Sequence, residues 1–269
     1  MNGTRAALLV SLVPALAAGA CSYFDETEPY RPPAYYGAPD AEAMALGRRL
    51  YQRDCSFCHG NEAQGTSQGP DLVTGENGPA LNDFMVRTGR MPIGDPDDVI
   101  RPGDSPYDDE EIAALVGYLD EEFDQPGPDI PAVEVAAGDL AEGREVYQEQ
   151  CAACHATTGI GGAMLAERDE AQTAGIVIPD FAASGPTEVA EAVRTGPGAM
   201  PVFGPGVVDD AELDAVVRYV DYLKEPDDRG GAPIGRIGPV AEGAVGWVLG
   251  LGILLVFIRW VGTKRGEQG

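Results

Sequence analysis

One segment of this 269-residue chain occurs twice, and this repeat constrains the fold more than any other feature. Residues 47–60 read GRRLYQRDCSFCHG, and residues 143–156 read GREVYQEQCAACHA. Two later landmarks also recur, PDL (70–72) as PDF (179–181) and RTGRMP (87–92) as RTGPGAMP (194–201). The spacing from the proline of PD to the methionine is equal in both copies, so the second copy carries extra residues after its histidine. Such a duplication predicts two copies of one small domain.

Each copy ends in a segment with the apolar spacing of an amphipathic helix. The apolar positions follow the acidic segments DDEE (108–111) and DDAE (209–212), and they are Ile112, Leu115, Val116 and Leu119, then Leu213, Val216, Val217 and Val220. Acidic residues in a first turn complement the helix dipole. No segment shows the strong alternation that predicts a strand. The expected fold class is therefore all-α.

Proline- and glycine-rich stretches mark the expected boundaries between these units. The predicted order is a linker at 22–42, a first domain at 43–124, a linker at 125–138, a second domain at 139–225 and a linker at 226–242. For the middle stretch, a loop of one compact domain is the alternative.

The N-terminus, MNGTRAALLVSLVPALAAGAC (1–21), has the layout of a secretory signal, because one arginine precedes an apolar run that ends in small residues. Cys21 follows AAGA in the manner of a bacterial lipoprotein cleavage site, although Ala18 stands where leucine is usual. Lipidation of Cys21, cleavage nearby and an uncleaved anchor are the three alternatives. Each of them predicts an exported chain.

Near the other end, residues 243–262 read GAVGWVLGLGILLVFIRWVG and predict a single transmembrane helix. A helix rises about 1.5 Å per residue, so this stretch spans the roughly 30 Å hydrocarbon core of a bilayer. Lys264 and Arg265 follow at once and predict a cytoplasmic tail at 263–269. The rest of the chain is then expected on the extracytoplasmic side of the cell (inner or plasma) membrane. A buried core helix is the alternative.

The chain carries 18 basic and 44 acidic side chains, which gives a net charge of −26. Nucleic acid and anionic membrane surfaces repel such a charge, so we expect neither as the main partner. The alternative interpretation of this net charge is an acidic surface that only aids solubility.

The C-x-x-C-H motifs predict two covalently bound haem c groups. Two cysteines on one helical turn can each form a thioether with a vinyl group of one haem, and the adjacent histidine then binds the iron. The residues concerned are Cys55, Cys58 and His59, and Cys151, Cys154 and His155. A zinc site needs four ligands, but His59 and His155 are the only histidines in the chain. A redox dithiol, the other alternative, gives the histidines no role.

Because the chain has no spare histidine, a methionine is the natural sixth ligand of each iron. Met91 and Met200 hold matched places in the repeat, each before a proline. A core methionine that fills a gap is the alternative. Around these ligands, Pro70 and Pro179 are candidates to orient the histidines, or are simply turn residues. Arg87 and Arg194 are candidates to pair with haem propionates, or are simply solvated.

The pattern Gly-x-x-x-Tyr before C-x-x-C-H, then P-D, then methionine–proline and a final amphipathic helix resembles class I cytochrome c. The resemblance covers roughly residues 43–124 and 139–225. Two such domains followed by one C-terminal anchor, GPVAEGAVGWVLGLGILLV, resemble the dihaem cytochrome c subunits of bacterial bcc-type menaquinol–cytochrome c reductases.

That second resemblance implies an electron-relay subunit of an oxidoreductase and translocase, not a chain with its own catalytic residues. Its implied partners are a cytochrome b subunit, a Rieske iron–sulfur subunit that supplies electrons, and a haem-copper oxidase that receives them. Three alternatives stay open at this point. In these alternatives the chain is a dihaem carrier for a periplasmic dehydrogenase, a dihaem carrier for another oxidase, or a dihaem peroxidase.

Overall fold

The computed structural model describes residues 38–75, 77–165, 175–227 and 239–266. The expected signal sequence at 1–21, with Cys21, lies outside the described residues. The first half contains α1 (Ala41–Asp54), α2 (Ser56–His59), α3 (Pro79–Arg87) and α4 (Asp109–Phe123). The second half contains α5 (Leu140–Val146), a π-helical turn (Tyr147–Cys151), α6 (Ala152–His155), α7 (Pro186–Thr195) and α8 (Asp210–Lys224). The last helix is α9 (Pro239–Gly266).

The described residues are mostly helical, which confirms the expected fold class. A two-stranded antiparallel hairpin was not expected. It consists of β1 (Gly162–Leu165) and β2 (Gly175–Ile178), with Gly162 opposite Ile178. The hairpin lies in the additional segment that follows the second C-x-x-C-H motif. Four-residue apolar runs fit a helix and a strand equally well, so periodicity does not reveal them.

The helices begin where the sequence supplies capping groups. Asp108 accepts a hydrogen bond from the backbone N–H of Glu111 and starts α4 with a capping box, and Asp209 and Glu212 start α8 in the same way. Asp40 caps α1. A side-chain oxygen at this position satisfies backbone donors that have no partner within the helix. The acidic first turns seen in the sequence therefore fix where the final helix of each domain begins.

The two halves share one internal plan, in which the first helix of each domain crosses its last helix at a glycine. A Cβ atom on Gly47 would lie 2.0 Å from the carbonyl oxygen of Ala114, and one on Gly143 would lie 1.9 Å from that of Ala215. Only glycine allows backbones to approach this closely. The two glycines of the repeat thus place α1 against α4 and α5 against α8, and an apolar core forms at each crossing.

The middle proline-rich stretch packs against both halves. Ile130 is buried in the first core and Val133 in the second. Gln125 donates a hydrogen bond to the Leu72 carbonyl oxygen and accepts one from Asn82. The described residues from 38 to 225 accordingly form one compact unit, in which α3 also packs against α7.

A second unit, Pro226–Gly269, contains α9. Within α9, residues Gly243–Gly262 are long and apolar enough to cross a membrane, with a mean hydropathy of 2.1, and none of that span is buried. This exposure disfavours the alternative of a buried core helix.

Candidate haem sites

Each C-x-x-C-H motif occupies one helical turn. The backbone N–H groups of Cys58 and His59 both donate to the carbonyl oxygen of Cys55, at 3.1 and 2.9 Å. In the second motif, Cys151 directly precedes α6, which ends at His155. The four cysteines of the two motifs are half-buried, and none of them forms a disulfide within the described residues. In each domain the two thiols and the imidazole therefore project from a single short helix.

The first cysteine of each motif lies in an environment that disfavours its thiolate form. Burial above all, with the charges of Asp54 and Cys58, raises the pKa of Cys55 to about 12. Burial and Cys154 raise the pKa of Cys151 to about 11. A reactive dithiol and a thiolate zinc ligand both need a lowered pKa. Within the described ranges no three His, Cys, Asp or Glu side chains converge on one point. This geometry favours thioether attachment over both alternatives.

The first histidine is oriented by the P-D segment. Nδ1 of His59 lies 2.8 Å from the carbonyl oxygen of Pro70. With the proton on Nδ1, this hydrogen bond holds the ring and leaves Nε2 free to bind iron. The contact is compatible with an orienting role for Pro70 at a haem, which stays a prediction.

The second histidine is held differently. The ring of His155 stacks on Phe181, with 4.7 Å between the ring centroids, and its buried Nδ1 makes no hydrogen bond of normal geometry to any described residue. Burial lowers the pKa of His155, while the nearby carbonyl of Pro179 partly opposes this shift. The imidazole is consequently neutral at physiological pH, which is the form that binds iron.

The repeated tyrosines support the residue that follows each histidine, a role that we did not predict from the sequence. Tyr51 and Tyr147 are fully buried, and their hydroxyls donate to the carbonyl oxygens of Gly60 and Ala156, each at 2.6 Å. The signal for this role was their fixed spacing from the cysteines. These bonds close the turn after each C-x-x-C-H motif.

Met91 and Met200 lie in the segments that follow α3 and α7. Both are half-buried. The Met91 N–H donates to the Met85 carbonyl oxygen at 2.9 Å, and the side chain of Met200 packs against the second core. Their assignment as axial ligands stays a prediction.

Arg87 and Arg194 are not solvated, because their side chains are only 16% and 7% exposed. Arg87 donates to Asp83 at 2.9 Å and to Asp109 at 2.6 Å. Arg194 donates to the backbone carbonyl oxygens of Phe203 and Val208 and to Asp210, at 2.9, 2.6 and 2.8 Å. Each arginine therefore ties the helix before the methionine segment to the start of the final helix. Pairing with propionates stays a prediction for both.

These residues fit a covalently attached haem. In each domain two thiols on one turn are arranged to form two thioethers, and an oriented or stacked imidazole lies beside them. The apolar surroundings that raise the thiol pKa values are also those that an apolar macrocycle needs.

Comparison with known proteins agrees with this geometry. Residues 44–121 match the family model described as cytochrome c, and residues 138–220 match the one described as cytochrome C oxidase, cbb3-type, subunit III. The cytochrome bc1 complex cytochrome c subunit of Corynebacterium diphtheriae is 28% identical over 254 residues, which are 87% of this chain and 86% of that protein.

Two further similar proteins are also described as cytochromes. The protein of the same description from Mycobacterium tuberculosis is 29% identical over 228 residues, covering 82% of this chain and 78% of the relative. Cytochrome c6 of a Synechococcus species is 32% identical over 84 residues, covering 31% of this chain and 70% of the relative. Cytochrome c domains imply covalently bound haem c, and the chain belongs to the cytochrome c family, with two cytochrome c domains in tandem.

Proposed function

We propose that this chain is the dihaem cytochrome c subunit of a quinol–cytochrome c reductase. The observation that carries the proposal is the similarity to bc1 complex cytochrome c subunits, which extends over 87% of the chain and so includes both domains. A single-domain carrier such as cytochrome c6 matches only 31% of the chain. In this role the chain is an electron carrier within a redox complex.

Each domain holds one haem in this proposal. Cys55 and Cys58 would hold the first haem, and Cys151 and Cys154 the second, each through a thioether that would form by addition of the thiol across one vinyl group. His59 and Met91 would hold the iron of the first haem, and His155 and Met200 that of the second. When bound, haem supplies a one-electron iron couple, and His/Met ligation raises its reduction potential. With two protein ligands for each iron, the sites would suit relay of electrons and not binding of a substrate.

The proposed route runs from a Rieske iron–sulfur protein, through this chain, to a haem-copper oxidase, with a cytochrome b subunit in the same complex. Helix α9 anchors the chain in the cell membrane. Trp247 and Trp260 lie near the two ends of the apolar span, where indole rings suit the membrane interfaces. The basic residues after the span favour a cytoplasmic tail, with both haem domains on the opposite side of the membrane.

The test is to tag the full chain, purify it from native membranes in a mild detergent, and record the dithionite-reduced minus oxidised spectrum. A b-type band that copurifies with the c-type band supports the reductase, and oxidase bands alongside support the proposed acceptor. A c-type band alone, in a detergent that preserves other complexes, contradicts the partners and favours a carrier for a dehydrogenase or another oxidase. A high-spin ferric signal in the resting protein favours a peroxidase.

A further inference from the structure

Two carboxyl groups are buried together where α3 packs against α7, at the contact between the two cytochrome c domains. Asp83 on α3 and Glu191 on α7 are both completely inaccessible to solvent. Asp83 accepts two hydrogen bonds from Arg87, at 2.9 and 3.1 Å. The carboxyl group of Glu191 lies within hydrogen-bonding reach of Asp83. No described residue donates a hydrogen bond to either carboxyl oxygen of Glu191.

The charges around the pair do not neutralise two anions. Arg87 is the basic side chain that faces both carboxyl groups, and it also donates to the exposed Asp109. On α7, Glu188 adds a further negative charge near Glu191. Arg90, from the segment after α3, stacks over the Phe84 ring at 4.5 Å and interacts with Glu188. A second buried carboxylate here would face like charge in a dry contact, which is among the costliest arrangements in a protein.

We propose that Glu191 is protonated in the folded protein at neutral pH and donates its O–H to the Asp83 carboxylate, so that the α3–α7 contact is a proton-binding site between the haem domains. One proton satisfies both groups at once. It gives Glu191 a donor role, removes one negative charge, and leaves Asp83 ionised and paired with Arg87. Two carboxyl groups that share one proton follow the same electrostatic rule wherever like charges meet in a low-dielectric site.

The direction of the pKa shift agrees with this geometry. Burial raises the pKa of Glu191 well above its usual value, Asp83 raises it further, and Arg87 opposes the shift. Because the folded pKa is the higher one, the stability due to this proton is fully present below the unfolded pKa of about 4.3 for glutamic acid. It is lost as the pH rises through the folded pKa. Rising pH therefore weakens the contact between α3 and α7, the two helices that lead to the methionine segments.

The proposal does not depend on the electron-transfer partners, and its test uses the full-length haem-loaded chain in detergent. Infrared spectra recorded across a pH titration report the C=O stretch of protonated carboxylic acids. Wild type is expected to keep one such band at neutral pH that E191Q lacks. E145Q, which neutralises an exposed carboxylate on α5, is the matched control and is expected to keep it. Haem propionates also carry carboxyl groups, so the band is assigned to Glu191 from the difference between the wild-type and E191Q spectra.

A second readout follows the contact itself. The thermal unfolding midpoint of wild type is expected to fall with rising pH more steeply than that of E191Q, while E145Q follows wild type. If E191Q does not fold, the D83N variant provides the test instead. Replacing the carboxylate acceptor by an amide is expected to shift the C=O band that wild type shows. Absence of a band at neutral pH in wild type, a band that persists in E191Q, or one that D83N leaves unshifted would overturn the proposal.

Discussion

The hydrogen bond from Tyr147 to the residue after the second haem-binding histidine provides a sharp test of how this site is built. The hydroxyl is fully buried and lies 2.6 Å from the Ala156 carbonyl oxygen. The substitution Tyr147→Phe removes this donor but keeps the ring, which contacts Phe181 and Tyr219. The change therefore isolates one hydrogen bond from the packing around it.

Leaving a buried acceptor without its partner costs about 1–3 kcal/mol. We expect Tyr147→Phe to lower the free energy of unfolding of the haem-loaded chain by that amount in a denaturant titration. For a domain of this size, each 1 kcal/mol corresponds to a fall of roughly 4–8 °C in the thermal midpoint. The loss should appear in the unfolding transition that is followed by the absorbance of the second haem.

Tyr222→Phe is the matched control in the same domain. Its ring is partly buried in the same core and stacks on Tyr219, but in the described residues its hydroxyl makes no hydrogen bond. We expect this variant to lie within about 0.5 kcal/mol of wild type, as most substitutions away from special features do. Equal losses in the two variants would refute the role of the Tyr147 hydroxyl.

Three further predictions concern the same two domains. Ala156 has φ 62° and ψ 163°, a region that is almost restricted to glycine, so Ala156→Gly should raise the free energy of unfolding by about 1 kcal/mol, and a loss would contradict this. Gly143→Ala should destabilise by about 1–3 kcal/mol through overpacking against Ala215, and a more stable variant in a thermal melt would show that the helices can separate. Met91→Ala and Met200→Ala should each change the spectrum and lower the reduction potential of one haem alone, as read by redox titration. If neither variant changed the spectrum, both axial assignments would be wrong.

Much of the architecture could be predicted because it depends on local patterns. The repeat gave two domains, the apolar spacing and acidic first turns gave α4 and α8, and the apolar run at 243–262 gave the candidate membrane helix. Glycines 47 and 143 were visible as repeated residues. The close approach of each glycine to another helix could not be predicted, because it depends on backbone segments that are distant in the sequence.

The features that sequence reasoning missed depend on tertiary contacts. The hairpin of β1 and β2 has strands too short to show a period. The partner of Tyr147 is a backbone carbonyl, which has no sequence signature. Glu191 reads as an ordinary helical glutamate, and only the packing of α7 on α3 shows that it meets Asp83. Contacts between the domains are therefore where the structure adds most.

The central claim is that this chain carries two covalently bound haem c groups, one on each C-x-x-C-H motif. The most direct test is to measure the mass of the denatured full-length chain together with its pyridine haemochrome content. The account predicts two covalently attached haems for each wild-type chain, and one after Cys55 and Cys58 are both replaced by alanine. One haem or none in wild type, or haem that is released on denaturation, would contradict it.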